Sequence, residues 1–252
     1  MSTRNISNSV SSNLSHMTVY RHLKAEKHIQ YGKIVAEDRL TKTHLMKRLK
    51  WAEKYQTFDK EWQNIIFSNE KKWNIDGPDG YKYFWYDKRA KNILSKIPNC
   101  RQSVHVWGAF CGTKKLNLHV IEGNLNAEKY QNLLQKTLIP FKNAENGRNL
   151  IFQGDNAPSH TAISTKNWLQ NKIDCMDWPS VSPDLNPIEN MWGILSQRVC
   201  QGGKVYENVR QLRLAILKEW ENIEVSVLNS VTNSMKKRVF EVIRGNGRRI
   251  KY

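Results

Sequence analysis

Polar and apolar positions change their period several times along the chain, and each change marks an element. Trp62 to Glu70 reads as a first strand, which Lys72 to Ile75 continues until the turn-rich cluster Asp76 to Gly80. Tyr81 to Tyr86 is aromatic-rich and Ser103 to Phe110 is β-branched and apolar, so both suit strands, and Leu116 to Ile121 predicts another, ended by Gly123. The period then becomes helical. Tyr130, Leu133, Leu134 and Leu138 share one side of a helix predicted over Asn126 to Phe141. Asn149 to Gln153 is a short apolar run broken by Gly154, as expected of a strand covered on both faces. A helix at Thr161 to Asn171, a short strand at Ile173 to Met176 and a helix opened by Asn186 and Pro187 follow. That last helix carries Trp192, expected to pack it onto the sheet, and ends at Gln201-Gly202-Gly203. Two packing helices close the chain, one over 206–222 with Leu212, Ile216 and Trp220 inward, one over Val225 to Ile243 with Leu228, Val231, Met235 and Val239 inward. Antiparallel strands followed by alternating helices and strands predict an α/β arrangement with a mixed sheet.

Before the first strand the pattern is helical and basic. Residues 1–13 are rich in Ser and Asn and read as frayed. Ser15 is placed to cap a helix that gathers Met17, Val19, Tyr20 and Leu23 on one side and turns Thr18, Arg21, His22 and Lys24 outward. Residues 24–40 add Lys27, Lys33 and Arg39, which suits a linker lying against phosphates. A second helix is predicted over Thr43 to Tyr55, with Leu45, Leu49 and Ala52 as its apolar side and Lys47, Arg48, Lys50 and Lys54 around the rest. Such a charge run is either a solvated face or a DNA contact. The same choice holds for Lys236-Lys237-Arg238 and for Arg248-Arg249-Ile250-Lys251.

Composition sharpens this. The 252 residues include 40 Lys and Arg against 23 Asp and Glu, a formal charge of +17, which calls for a polyanionic partner, nucleic acid first. No apolar run approaches the roughly 20 residues of a membrane span, and Met1 to Asn5 is too polar for a secretory signal. The four cysteines, Cys100, Cys111, Cys175 and Cys200, are widely spaced and read as reduced core residues of an intracellular protein.

Candidate chemistry sits in two motifs. Asp155, in Gly154-Asp155-Asn156-Ala157-Pro158-Ser159-His160, falls at the carboxyl end of a buried strand, where open α/β sheets place their ligands. Glu189, in Ser182-Pro183-Asp184-Leu185-Asn186-Pro187-Ile188-Glu189-Asn190, falls at the third position of a helix capped by Asn186. Taken singly, Asp155 can start an Asx turn and Glu189 can close a capping box. Taken together, two carboxylates from different elements can converge on a divalent cation, as phosphoryl-transfer sites require. His160 is read as a helix-start residue.

These two motifs resemble the catalytic signature of Tc- and mariner-type DNA transposases, over nearly the whole chain from about Val10 to Tyr252. The resemblance implies a ribonuclease-H-like fold, a mixed five-stranded sheet flanked by helices, over residues 41–252. It implies a truncated helix-turn-helix remnant and basic linker over 1–40, with Thr18, Arg21, His22, Lys24 and Lys33 toward DNA. It implies Mg2+ or Mn2+ held by Asp155 and Glu189, and double-stranded DNA at transposon ends and targets as partner. No membrane is involved; the expected residence is nuclear, and a homodimer is one candidate assembly. The first acid of the family falls on Asn69, within Phe67-Ser68-Asn69-Glu70-Lys71-Lys72-Trp73, where this sequence has an amide. Adjacent strand residues point to opposite faces, so Glu70 is expected to face away from Asp155 and not to replace the missing carboxylate. An amide oxygen can ligate a cation but brings no charge, so catalysis is expected to be strongly reduced or absent, and a DNA-binding protein without chemistry stands as the alternative.

Overall fold

A computed structural model describes residues 15–25, 40–75, 102–145, 147–201 and 204–251, and the chain divides into two compact units, Met1–Arg39 and Leu40–Tyr252. In the first, α1 (His16–Ala25) starts as expected at Ser15, whose Oγ accepts the Thr18 N–H at 3.2 Å. Arg21 and His22 are exposed and Thr18 half-buried; Met17 and Tyr20 are also largely exposed. The backbone of Lys24 lies in α1, while its side chain and the whole of Lys33 lie outside the described residues.

In the second unit, α2 (Lys42–Tyr55) leads through a 3-10 turn (Lys60–Asn64) into β1 (Ile65–Asn74), so the predicted first strand starts three residues late and runs on without a break. The strand β2 (Ser103–Cys111) pairs antiparallel with β1, from Ile66 opposite Cys111 to Asn74 opposite Ser103. Beyond β2, Gly112 takes a positive φ of 55° to turn the chain into β3 (Lys114–Lys115). Then β4 (His119–Ile121), α3 (Ala127–Ala144), β5 (Ile151–Gln153), α4 (Pro158–Thr161), α5 (Ile163–Gln170) and β6 (Asp174–Cys175) follow. The order is β3-β2-β1-β5-β6, with β4 also on β2; β5 and β6 run parallel to their neighbours.

The sheet is thus mixed, as expected, and has six strands among the described residues where five were expected. Of the strand predicted over Leu116 to Ile121, only His119–Ile121 is strand; Lys114–Lys115 just before it pairs with β2 as well, and Leu116 is tied to β2 by its N–H to Ala109 O at 2.9 Å. The helix predicted over Thr161 to Asn171 is also split, because Ala162 takes an extended conformation (ψ 138°) between α4 and α5. The predicted turn at Asp76 to Gly80 and strand at Tyr81 to Tyr86 lie outside the described residues.

Two apolar layers cover the sheet. Successive β1 side chains alternate between them: Ile65 and Phe67 join a layer with Trp62, Trp192 and Trp220, while Ile66 joins Trp107, Tyr130, Leu134 and Phe152 on the opposite face. The first layer is roofed by α6 (Ile188–Val199), α7 (Val209–Glu221) and α8 (Val225–Arg244). Trp192 packs α6 onto the sheet as expected, and does so over Gly108: a Cβ at 108 would lie 2.7 Å from the indole Cη2. Among the cysteines, Cys111 is in the core as expected and Cys200, after α6, is half-buried against it; Cys175 is exposed, which corrects the expectation there, since β6 lies at the sheet's edge, and Cys100 lies outside the described residues.

One prediction about α2 fails instructively. Arg48, expected among the outward charges, is fully buried. It lies at helical spacing with Trp51, Ala52 and Tyr55, which form the true inner face, while Leu45 and Leu49 are only half-buried. Arg48 donates Nη1–H to Asp184 Oδ1 (2.8 Å) and Nη2–H to Asp184 Oδ2 (2.5 Å). It also donates to Ser182 Oγ (2.7 Å), Gly247 O (2.8 Å) and Arg248 O (3.2 Å). A guanidinium excludes itself from the interior unless its donors are met, and here they are.

Candidate functional site

The alternation of β1 decides which residues meet. Asn69 has the parity of Phe67 and points toward α6; Glu70 has the parity of Ile66 and points toward the Tyr130 layer. Asn69 lies opposite Gly108, the position that lets Trp192 seat α6 closely. Its Nδ2–H donates to Glu189 Oε1 at 2.6 Å, and its Oδ1 accepts the Glu70 N–H at 2.8 Å. A backbone N–H can only donate, which fixes which way the amide is turned.

Glu189 is the second residue of α6, one position earlier than expected, and makes no capping box. The entry to α6 is held instead by Asn186, whose Oδ1 accepts the Ile188 N–H (3.3 Å) and whose Nδ2–H donates to Ser68 O on β1 (3.0 Å). The preceding residues are fixed by Asp184, which binds Arg48 and also accepts the Ile250 N–H (3.1 Å), and whose carbonyl accepts from Arg238 (2.7 Å).

Asp155 follows β5 and makes the expected Asx turn, with Oδ1 accepting the Ala157 N–H at 3.0 Å. Asn69, Asp155 and Glu189 line one cleft of about 390 Å³, walled by Asn156, Trp178 and Pro179. Val181 stands on the same cleft, exposed and at φ 56°, a conformation costly for a β-branched residue. Burial lifts the Glu189 carboxyl above its ordinary range; Lys71 and the Asn69 amide draw it down, and the charge of Asp155 pushes it up again.

Glu70 corrects the sequence reading. It does lie on the other face from Asn69, yet it is not remote from Asp155, because Asp155 sits past the end of β5 where side chains from either face can reach it. His160 bridges them. Its Nδ1–H donates to Asp155 Oδ1 (2.5 Å), its Nε2 is 3.3 Å from Glu70 Oε1, and its ring stacks on Tyr130 at 3.9 Å. One donor atom from each of Glu70, Asp155 and His160 lies within 4.8 Å of the others, a spacing that could also hold a metal. Burial disfavours a charged imidazole, but the two carboxylates outweigh it and push His160 up to about 10. Burial likewise acts to raise Asp155, and the His160 contact holds it below its ordinary value. At neutral pH the imidazolium therefore supplies the positive charge among these three groups. His160 was read only as a helix-start residue, and its position shortly after Asp155 was the available signal.

Residues 64–213 match the family model described as DDE superfamily endonuclease. The Tc3 transposase of Caenorhabditis elegans is 37% identical over 251 residues, spanning 99% of this chain and 76% of that protein. The Tc1 transposase of the same organism is 33% identical over 221 residues, spanning 84% and 80%. Among solved structures, the Mos1 transposase paired-end complex with left transposon end superposes with a TM-score of 0.75 at 14% identity, over 100% of this chain and 76% of that one. The catalytic domain of Mos1 mariner transposase does so with a TM-score of 0.67 at 14% identity, over 86% and 100%. The mixed sheet and its flanking helices are therefore ribonuclease-H-like, and the chain belongs to the Tc1/mariner transposases of the DDE superfamily.

Proposed function

We propose that this protein engages double-stranded DNA at transposon ends and targets for metal-dependent strand cleavage and strand transfer, and that Asn69 leaves the chemistry severely impaired. The observation that carries the second part is the hydrogen bond from the Asn69 amide to Glu189. Asp155 and Glu189 suit Mg2+ or Mn2+: both carboxylates line the cleft, and burial first, then the charge of Asp155, lifts Glu189, a cost that a bound cation would offset. Asn69 does not suit it. Its oxygen is taken by the Glu70 N–H, and its nitrogen, a donor, faces Glu189.

A bound divalent ion supplies activation of water or a 3′-hydroxyl and stabilisation of the leaving oxygen. The chain's own residues hold the substrate side of this chemistry in place. His160 and the Ala157 N–H fix Asp155 Oδ1, so Oδ2 is left without a described partner for a cation. Asn186 and Asp184 fix the start of α6 and hence Glu189. Thr18, Arg21, His22, Lys24 and Lys33 are the proposed DNA-reading residues, in a segment over 1–40 that precedes the catalytic unit. The solved paired-end complex of a relative supports transposon ends as ligand and a homodimer as the acting form; a chromosomal substrate supports nuclear residence.

The test compares nicking of supercoiled plasmid DNA, with Mg2+ or Mn2+, by the wild type and by Asn69→Asp. Restoring one ligand charge is expected to raise the rate about 100-fold or more, since each 1.36 kcal/mol of barrier is tenfold. Equal, robust nicking by both would overturn the impairment. Nicking by neither, with duplex DNA still bound, would favour the second reading that the Asn69 contact also supports, a DNA-binding protein without chemistry.

A further inference from the structure

Several described basic side chains form ion pairs: Lys114 and Arg148 with Glu145, Lys236 with Asp59, Arg244 with Glu241, Arg198 with Glu224. The outer face of α2 carries three that do not. Lys47, Lys50 and Lys54 are exposed, and none forms an ion pair with a described residue; Lys54 only overlies the Tyr55 ring at 5.1 Å. Their spacing of three and four residues sets them on one stripe of the helix, about 10 Å long at 1.5 Å per residue. All three line a cleft of about 470 Å³, against a single carboxylate, Asp177. That cleft and the Asn69–Asp155–Glu189 cleft share a wall of Asn156, Trp178, Pro179 and Ser180, so the lysine cleft adjoins the carboxylate cleft across that wall. Asn156 holds the wall by donating its Nδ2–H to Trp178 O at 2.8 Å.

Adjoining clefts with three lysines against one carboxylate in the first and two carboxylates in the second suit a ligand that is anionic along a line and meets metal at its end. One strand of duplex DNA offers a phosphate about every 3.4 Å along the axis, so a 10 Å stripe spans roughly three of them. Resting on the reading given under Proposed function, we propose that Lys47, Lys50 and Lys54 form a phosphate track that guides one DNA strand past Asn156 and Trp178 to Asp155 and Glu189. The stripe adds affinity without base specificity, because lysine contacts to phosphate carry no sequence information. Residues on this helix thereby align the scissile region, and Arg48 on its inner side anchors the same helix to the Glu189 loop through Asp184.

The experiment measures the affinity of the full chain for a duplex oligonucleotide of arbitrary sequence, by fluorescence anisotropy, from 50 to 200 mM salt. It compares the wild type, Lys47→Gln/Lys50→Gln/Lys54→Gln, and a control of equal charge, Lys129→Gln/Lys136→Gln/Arg213→Gln, whose residues line a different cleft. Thermal melting of each variant confirms folding. Losing three phosphate contacts flattens the slope of log K against log salt by about 2 to 3, at roughly 0.9 per contact. The track triple is expected to show that loss and the control less than about 1. An unchanged slope in the track triple would overturn the track while leaving DNA binding intact. An equal loss in the control would overturn its assignment to α2. No binding by the wild type at 50 mM salt would overturn the functional reading itself.

Discussion

Replacing Asp184 by Asn removes one charge and almost no volume, and it strips the buried Arg48 guanidinium of its counter-ion. Arg48 is fully buried and Asp184 nearly so, with two charge-assisted hydrogen bonds between them at 2.8 and 2.5 Å. Breaking a buried pair from one side costs about 3–5 kcal/mol, because the remaining charge stays desolvated. Against a total stability of about 5–15 kcal/mol that is a large share. At about 2–4 °C per kcal/mol for a unit of this size, the melting temperature falls by roughly 6–20 °C. Arg48→Met should cost a similar amount, since it also strands Ser182 Oγ and the carbonyls of Gly247 and Arg248. The double variant Arg48→Met/Asp184→Asn should cost clearly less than the sum, as the two changes share one interaction. Chemical denaturation of the four proteins measures the cycle. A loss below about 1 kcal/mol for Asp184→Asn, or strict additivity in the double variant, would refute the claim that this pair ties α2 to the Glu189 loop.

Other outcomes follow from the same contacts. Gly108→Ala would drive a methyl group into Trp192, lifting α6 and costing about 1–3 kcal/mol, read by the denaturation midpoint. Because His160 is raised to about 10, its charge contributes stability that is fully present below its unfolded value near 6.5 and is lost as pH rises through about 10. The stability difference between wild type and His160→Gln should therefore shrink across that window, and in Glu70→Gln the imidazole, followed by NMR, should titrate at lower pH. Asn69→Asp should melt lower than the wild type without metal, since a third carboxylate would face Glu189 where the amide now donates. Adding Mn2+ should then raise its melting temperature more than that of the wild type.

The order of elements was legible because hydrophobic period is a local property, and β1, β2, α3, α6, α7 and α8 appear where Trp62–Ile75, Ser103–Phe110, Asn126–Phe141, Asn186, 206–222 and Val225–Ile243 pointed. Short elements were less so. The late start of β4 at His119 and the break at Ala162 between two helices depend on tertiary surroundings that no local period records. Arg48 was misplaced because its residue type outweighed its position, although its spacing with Trp51, Ala52 and Tyr55 already put it on the inner face. Glu70 was misplaced for a different reason. Alternation gave its face correctly, but the reach of Asp155 beyond the end of β5, and the bridging imidazole between them, belong to tertiary structure.

The departure at Asn69 shows how much one atom can change between motif and site. An aspartate there would present two acceptors to Glu189, and the pair would hold together only through a cation. The amide presents a donor instead, so the contact that would have been repulsive is a 2.6 Å hydrogen bond. Glu189 is raised by burial, and the Asn69 amide is among the groups that draw it back. On the proposed reading, the amide thus supplies locally part of what a metal would supply, without the charge that a third carboxylate would bring. Stability and activity pull apart at this position, as they do wherever a site gathers like charges in order to bind an ion. Metal dependence of folding stability, rather than nicking alone, is therefore the property in which the wild type and Asn69→Asp should differ most directly.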